Sequence, residues 1–236
     1  MKIFTKLLIY IASIAAFFGS SQAMEINNKY FYAEYEKRTP DEELVKKYNA
    51  NPEFMAHVTA EMNKAEAWWT SKGPYVFKYN NAISRVRGSL LIRECAQEFD
   101  LDAISAPEKF FKIRDGKIVT TSDGPIVFAR GIKSNNIPFC LKQVQQLRTM
   151  IKKTGIADIH NGNVFNSQEG IAYIIDTEIR SFCVPGNLDC CATEYNMVTF
   201  LERMKKLLTM EDEAKDWLVQ EIENQKHKNA TAPREY

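Results

Sequence analysis

The stretch D-I-H-N-G-N, residues 158 to 163, sets an acid, an imidazole and an amide within six positions, and Asp176 follows at the end of the apolar run A-Y-I-I. These side chains suit phosphoryl transfer. That reaction needs a group to orient the attacking hydroxyl and oxygen ligands to hold magnesium against the phosphates, and it asks little covalent chemistry of the protein. Asp158 suits the first task, and Asn163 and Asp176 the second. Three other readings compete for the same residues. Asn, Asp and Gly also crowd ordinary turns. A two-metal phosphoesterase uses similar fragments, but its ligands come from separate strands so that two ions can share them, which six consecutive positions cannot supply. A thiol hydrolase pairing a cysteine with His160 lacks any sign of an activated cysteine.

The rest of the chain must position these groups. Its 236 residues are 45% hydrophobic and 26% charged, the composition of a globular chain with one large domain or two small lobes. With 31 basic and 30 acidic residues the net charge is +1. No basic block could neutralise a run of phosphates, so nucleic acid is not the expected partner. Residues 1–23, MKIFTKLLIYIASIAAFFGSSQA, combine Lys2 and Lys6, an apolar core from Leu7 to Gly19 and a small-residue end. That is the layout of a secretory signal. An uncleaved membrane anchor is the alternative, although the apolar run falls short of the ~20 residues that span a bilayer. Cleavage removes both lysines, taking 31 basic residues to 29 against 30 acidic ones, for a net charge of −1. No later segment is expected to cross a membrane. Export would allow disulfides among the five cysteines, Cys95, Cys140, Cys183, Cys190 and Cys191, of which at least one must stay unpaired. Without a C-x-x-C pair a zinc site is not expected, and Cys95 reads as a small buried residue on a helix.

Periodicity predicts the elements. Thr39-Pro40-Asp41-Glu42 has the form of a capping box opening a short helix to about Tyr48, and Phe54, Val58, Met62, Ala65 and Trp69 mark one face of a second. Y-V-F-K-Y at 75–79 reads as a strand, and residues 82–99 as a helix with Val86, Leu90, Leu91 and Cys95 on its apolar side. K-F-F-K-I and K-I-V-T-T flank a hairpin turn at Arg114-Asp115-Gly116, and a third strand, P-I-V-F-A-R-G-I, follows. A helix should run from beyond Pro138 to Gly155. Val164-Phe165 and Ile171 to Ile175 should form a small hairpin, and two helices, about 193–208 and 210–226, should close the fold. This order is α+β, without the alternation of a doubly wound sheet.

The D-x-H-x-G-N motif together with I-D-T-E at 175–178 resembles the catalytic core of the protein-kinase-like superfamily, in a form closer to the aminoglycoside and choline kinase branch than to eukaryotic protein kinases. Y-V-F-K-Y resembles the strand carrying that family's phosphate-binding lysine, which would be Lys78, and the helix at 82–99 resembles the one that supplies its glutamate partner. Glu94 is the first choice for that partner, with Glu98 one turn later as the fallback. P-I-V-F-A-R-G-I resembles the last strand of the small lobe, where adenine would lie. The resemblance covers about residues 75–205. It implies a two-lobed fold with a reduced small lobe of antiparallel strands plus one helix, and a mainly helical large lobe. Asp158 would be the catalytic base, Asn163 and Asp176 the metal ligands, Lys78 and Glu94 the nucleotide-binding pair, His160 the residue that shapes the loop, and ATP and Mg2+ the cofactors.

The corresponding organisation is a signal peptide at 1–23, an N-terminal helical extension at 24–74, a nucleotide-binding lobe at 75–134, a catalytic lobe at 135–227 and a flexible tail at 228–236. The glycine-rich loop expected before the lysine strand is missing, since K-A-E-A-W-W-T-S-K-G-P holds only Gly73. An exported ATP-dependent phosphotransferase, secreted or periplasmic, is therefore weighed against a pseudokinase that binds a nucleotide or a protein without transfer. Because ATP is scarce outside cells, an exported kinase implies delivery into a host cell and a protein or small-molecule acceptor there. An envelope protein without catalysis is the rival for location.

Overall fold

The computed structural model describes residues 29–44, 56–57, 60, 63, 75–78, 80–111, 113–114, 117–119, 127–132, 137–183 and 194–231. The expected signal at 1–23, most of the helix expected over 54–69, Cys190, Cys191 and the last five residues lie outside these. Within them the fold is α+β, and no helix is long and apolar enough to cross a membrane.

The first helix of the described residues, α1 (Tyr32–Arg38), buries Tyr32 and Tyr35. No sequence pattern had singled it out. Residues 41–44 are helical, as the capping-box reading expects, and bury Leu44 completely. Strand β1 (Tyr75–Lys78) leads through Asn80 and Asn81 into α2 (Ala82–Glu98). Asn81 turns the chain with φ of 54°, a left-handed conformation that asparagine tolerates better than most residues. Then come β2 (Ile104–Ser105), β3 (Lys109–Phe111), β4 (Ile113–Arg114), β5 (Lys117–Ile118) and β6 (Val127–Arg130). Strands β4 and β5 pair antiparallel with Arg114 opposite Lys117, as expected of strands on either side of the hairpin turn.

Strands β1, β6 and β3 form an antiparallel sheet with β6 in the centre. The register pairs Lys78 and Phe111 with Val127, and Val76 and Lys109 with Ala129. Alternation therefore puts all six side chains on one face. Ala82 and Val86 of α2 and Leu44 pack with Phe111 and Val127 as a small hydrophobic cluster.

Helix α3 (Leu141–Thr154) comes next. It ends where predicted, at Gly155, whose φ is 72° and where a Cβ would lie 2.6 Å from the Phe31 ring. Beyond the 158–163 loop, β7 (Val164–Asn166) and β8 (Ala172–Ile174) form the expected hairpin, and β2 adds to β8 in parallel, a pairing that no periodicity announced. A 3-10 turn at Ile179–Ser181 precedes α4 (Glu194–Leu207) and α5 (Asp212–Thr231). The last helix continues through residues 228–231, so the expected loose tail starts later than 228. Thr231 donates to the His227 carbonyl inside this final turn.

A second, larger core joins α1, α3, α4, α5, the β7–β8 hairpin and the rear half of α2, through Leu91, Ile92 and Cys95. Each fully buried leucine or isoleucine here contributes about 1.5–3 kcal/mol relative to leaving it in water. Helix α2 thus belongs to both cores and fixes the three-stranded sheet against the hairpin.

Candidate functional site

The hairpin decides where the polar residues meet. Beyond the last β7–β8 pair, the Ile175 N–H donates to the Asn163 carbonyl at 2.8 Å, which continues the ladder by one rung. Asn163 and Asp176 are thereby neighbours at its open end. The Asn163 side-chain amide donates to the Asp158 carboxylate at 2.6 Å and to its backbone carbonyl at 3.3 Å. With its nitrogen used in this way, the Asn163 amide oxygen is the atom left to accept or ligate. The Asp158 segment is stitched to the chain beyond Asp176, because the N–H groups of Ala157 and Asp158 both donate to the Ser181 carbonyl. His160 accepts the Gly162 N–H on Nδ1 at 2.9 Å and brings Nε2 to 3.4 Å from Asp158 Oδ1. An accepting Nδ1 puts the ring proton on Nε2, facing the carboxylate.

Asp176 is held from elsewhere. Arg85, on the first turn of α2, donates to Asp176 Oδ1 at 2.6 Å and to Glu178 Oε2 at 2.8 Å, and its side chain is only 6% exposed. Asn81 adds a 2.8 Å bond to Glu178. Lys109 of β3 donates to the Ile175 carbonyl at 2.9 Å and the Thr177 hydroxyl at 2.7 Å, and that hydroxyl donates to the Arg85 carbonyl at 2.7 Å. Burial, with the nearby Arg85 and Lys78 charges, lowers the pKa of Lys109 to about 7 against the opposing pull of Asp176 and Glu178. Gly88 admits this close approach, since a Cβ on it would lie 2.1 Å from the Thr177 carbonyl oxygen.

Val76, Lys78, Lys109, Val127 and Ala129 of the sheet, together with Pro107 and Ile132, face Phe165 and Ile175 of the hairpin region across a cavity of about 80 Å³. The cavity lining is mostly apolar, with Lys78 as a half-buried cation on β1.

Of the five residues expected to act together, Asn163 bonds Asp158, Asp176 follows the residue whose N–H bonds the Asn163 carbonyl, and Lys78 lines the cavity that Ile175 also lines. The expected partnership of Lys78 with Glu94 does not form. Glu94 is exposed, and its carboxylate lies against Tyr35 of α1, whose pKa rises through burial first and this neighbour second. Glu98, the fallback, bonds Lys29 and Tyr30 instead. The reason is helical geometry: nine residues at 100° each put Glu94 half a turn away from Arg85, on the opposite side of α2. The helix therefore offers Asp176 an arginine, and the second acid beside it is Glu178. Sequence reasoning missed Arg85, Lys109 and Glu178. The I-D-T-E spacing was a usable signal for Glu178. A lysine followed by two phenylalanines at the start of a short strand was a weaker one for Lys109.

Cys95 and Cys140 are free thiols. Burial pushes the Cys95 pKa up to about 12, so it is inert. Among the described residues no three His, Cys, Asp or Glu side chains gather as a metal cluster. The oxygen donors of Asn163 and Asp176 suit a hard cation completed by phosphate oxygens. Compared with protein-family models, curated proteins and solved structures, the chain matches none.

Proposed function

We propose that this chain is a kinase-like phosphotransferase that moves the γ-phosphoryl group of ATP to a hydroxyl of a protein or small molecule. The observation that carries the reading is the Asn163–Asp158 bond at the open end of one hairpin, where the Ile175 N–H, one residue before Asp176, bonds the Asn163 carbonyl beside an apolar cavity that Lys78 lines. A three-stranded antiparallel sheet braced by α2, and two hydrophobic cores joined through that helix, support the two-lobed arrangement.

Asp158 would accept a hydrogen bond from the attacking hydroxyl and hold it in line. His160 and Asn163 fix its carboxylate, which limits the motion lost at the moment of reaction. The Asn163 amide oxygen and the Asp176 carboxylate would hold Mg2+, which when bound offsets the phosphate charge. Lys78 would face the phosphates from the sheet. The leader at 1–23 supports export, and delivery into a host cell would supply ATP.

Labelled-ATP transfer into a host lysate tests this. Asp158→Ala and Asp176→Ala should each abolish transfer; parental rates in both sink the assignment.

Two observations favour a pseudokinase. Arg85 occupies Asp176, and the cavity of about 80 Å³ is well under the ~300 Å³ of ordinary small-ligand clefts. Nucleotide entry would need the sheet and the hairpin to part, with a cation meeting Asp176 at Oδ2 because Arg85 holds Oδ1. Thermal melting with ATP and Mg2+ separates the possibilities: ligand at a hundred times Kd stabilises by about 2.7 kcal/mol. A pseudokinase that binds nucleotide melts later without transferring phosphate, and one that binds only protein does not shift.

A further inference from the structure

We infer that Lys109 is the positioning residue for Asp176: from the three-stranded sheet its ammonium bonds the residue on each side of that aspartate, the Ile175 carbonyl and the Thr177 hydroxyl, and so presents the carboxylate for a divalent cation. The inference rests on the reading of Asp176 as a metal ligand and adds a residue to it.

Three observations lead there. Lys109 is 5% exposed, and its nitrogen forms no ion pair with a carboxylate among the described residues but bonds a carbonyl and a hydroxyl. It bonds Ile175 and Thr177, the residues immediately before and after Asp176. Thr177 passes the contact to the backbone of Arg85, whose guanidinium holds the Asp176 side chain. Main chain and carboxylate are thus fixed by two cations from two elements, β3 and α2. Packing does not account for a lysine here. A methionine of similar length would fill the space without taking an ammonium out of water. Burying that charge is unfavourable, as the lowered proton affinity of Lys109 shows, so its bonds to residues 175 and 177 are the compensating interaction. Groups that orient a ligand in this way typically change metal affinity by about 10- to 100-fold when removed.

The test uses the whole chain. Mn2+ is titrated, in the presence of a non-hydrolysable ATP analogue, into the parent, Lys109→Met, Lys109→Gln and Asp176→Asn, with free Mn2+ read by its EPR signal. Affinity for the analogue without metal and thermal unfolding are measured alongside. Asp176→Asn should lose the metal. Lys109→Met should stay folded and bind Mn2+ about 10-fold more weakly, over and above any change in its metal-free analogue affinity, with Lys109→Gln, which keeps a donor, in between. Should Lys109→Met not fold, Lys109→Gln carries the comparison alone. Parental Mn2+ affinity in the folded Lys109 variants, with Asp176→Asn impaired, overturns the inference and leaves the phosphotransferase reading standing. A parent that takes up no Mn2+ with the analogue overturns both.

Discussion

Asp158 and Asp176 flank the β7–β8 hairpin, one before it and one after, and they are held in opposite ways. The Asp158 side chain is 40% exposed and takes its side-chain partners, His160 and Asn163, from its own loop. The Asp176 side chain is 22% exposed, and its partner Arg85 lies 91 residues away, backed by Lys109 and by the tight seat of Gly88 on Thr177. A group held locally and wetly can change its bonding partner without disturbing the fold. A group held by two distant elements in a dry setting cannot. The contrast suits the proposed roles, since one carboxylate must meet an incoming acceptor and the other must keep its place. Substitutions around Asp176 should therefore register first in stability, and those at Asp158 first in rate.

The largest effect should come from Gly88→Ala. Its new methyl would overlap the Thr177 carbonyl oxygen and force α2 off the 176–178 segment. A loss of about 3 kcal/mol in denaturant unfolding is expected, and a neutral result would mean that α2 and this segment are not rigidly seated. Arg85→Met follows. It leaves Asp176 and Glu178 without their guanidinium and should also lower stability by about 3 kcal/mol. Adding Asp176→Asn to it should recover part of the loss, and strict additivity would argue against the pairing.

The next expectation concerns pH. Lys109 keeps its proton to about pH 10.4 when unfolded but releases it near 7 when folded, so between those limits the unfolded chain binds more protons. Stability relative to Lys109→Met must then rise with pH from about 7 to 10, because the penalty of a buried ammonium fades as the folded chain loses it. Paired urea melts across that range check the slope, and a flat or falling difference contradicts the burial. The smallest stability change, under about 1 kcal/mol, belongs to Asp158→Asn. Its transfer rate should nonetheless fall by at least about 100-fold, as expected on removing a positioned base.

Much of this was legible before any coordinates. Apolar spacing marked α2, α3, α4 and the β7–β8 hairpin within a few residues, and the hairpin sets Asn163 opposite Ile175, the residue before Asp176. What stayed hidden depends on long-range packing. A two-residue strand such as β2 has no period to read. Lys109 sits where a lysine normally marks an exposed strand face, and only the register opposite Ala129 turns it inward. Glu94 was chosen because an acid at a plausible separation from Lys78 looks equivalent to any other. Which side of α2 faces the hairpin is set by Gly88 and by the tyrosines of α1, and neither carries a sequence signature of that choice.

Those tyrosines also bear on where the folding unit begins. Arg87 on α2, almost fully buried, donates to the Thr39 carbonyl and pairs with Glu36 and Asp41. Tyr30, Tyr32 and Tyr35 join the larger core, and Phe31 covers the only kind of residue the end of α3 can accept. Residues 29–44 therefore act as a brace across the rear of the helix that carries Arg85. A shortened protein starting at the first sheet strand would strip aromatic surface from its interior and leave a guanidinium stranded, so the minimal autonomous unit extends well upstream of the motifs that would attract attention to it.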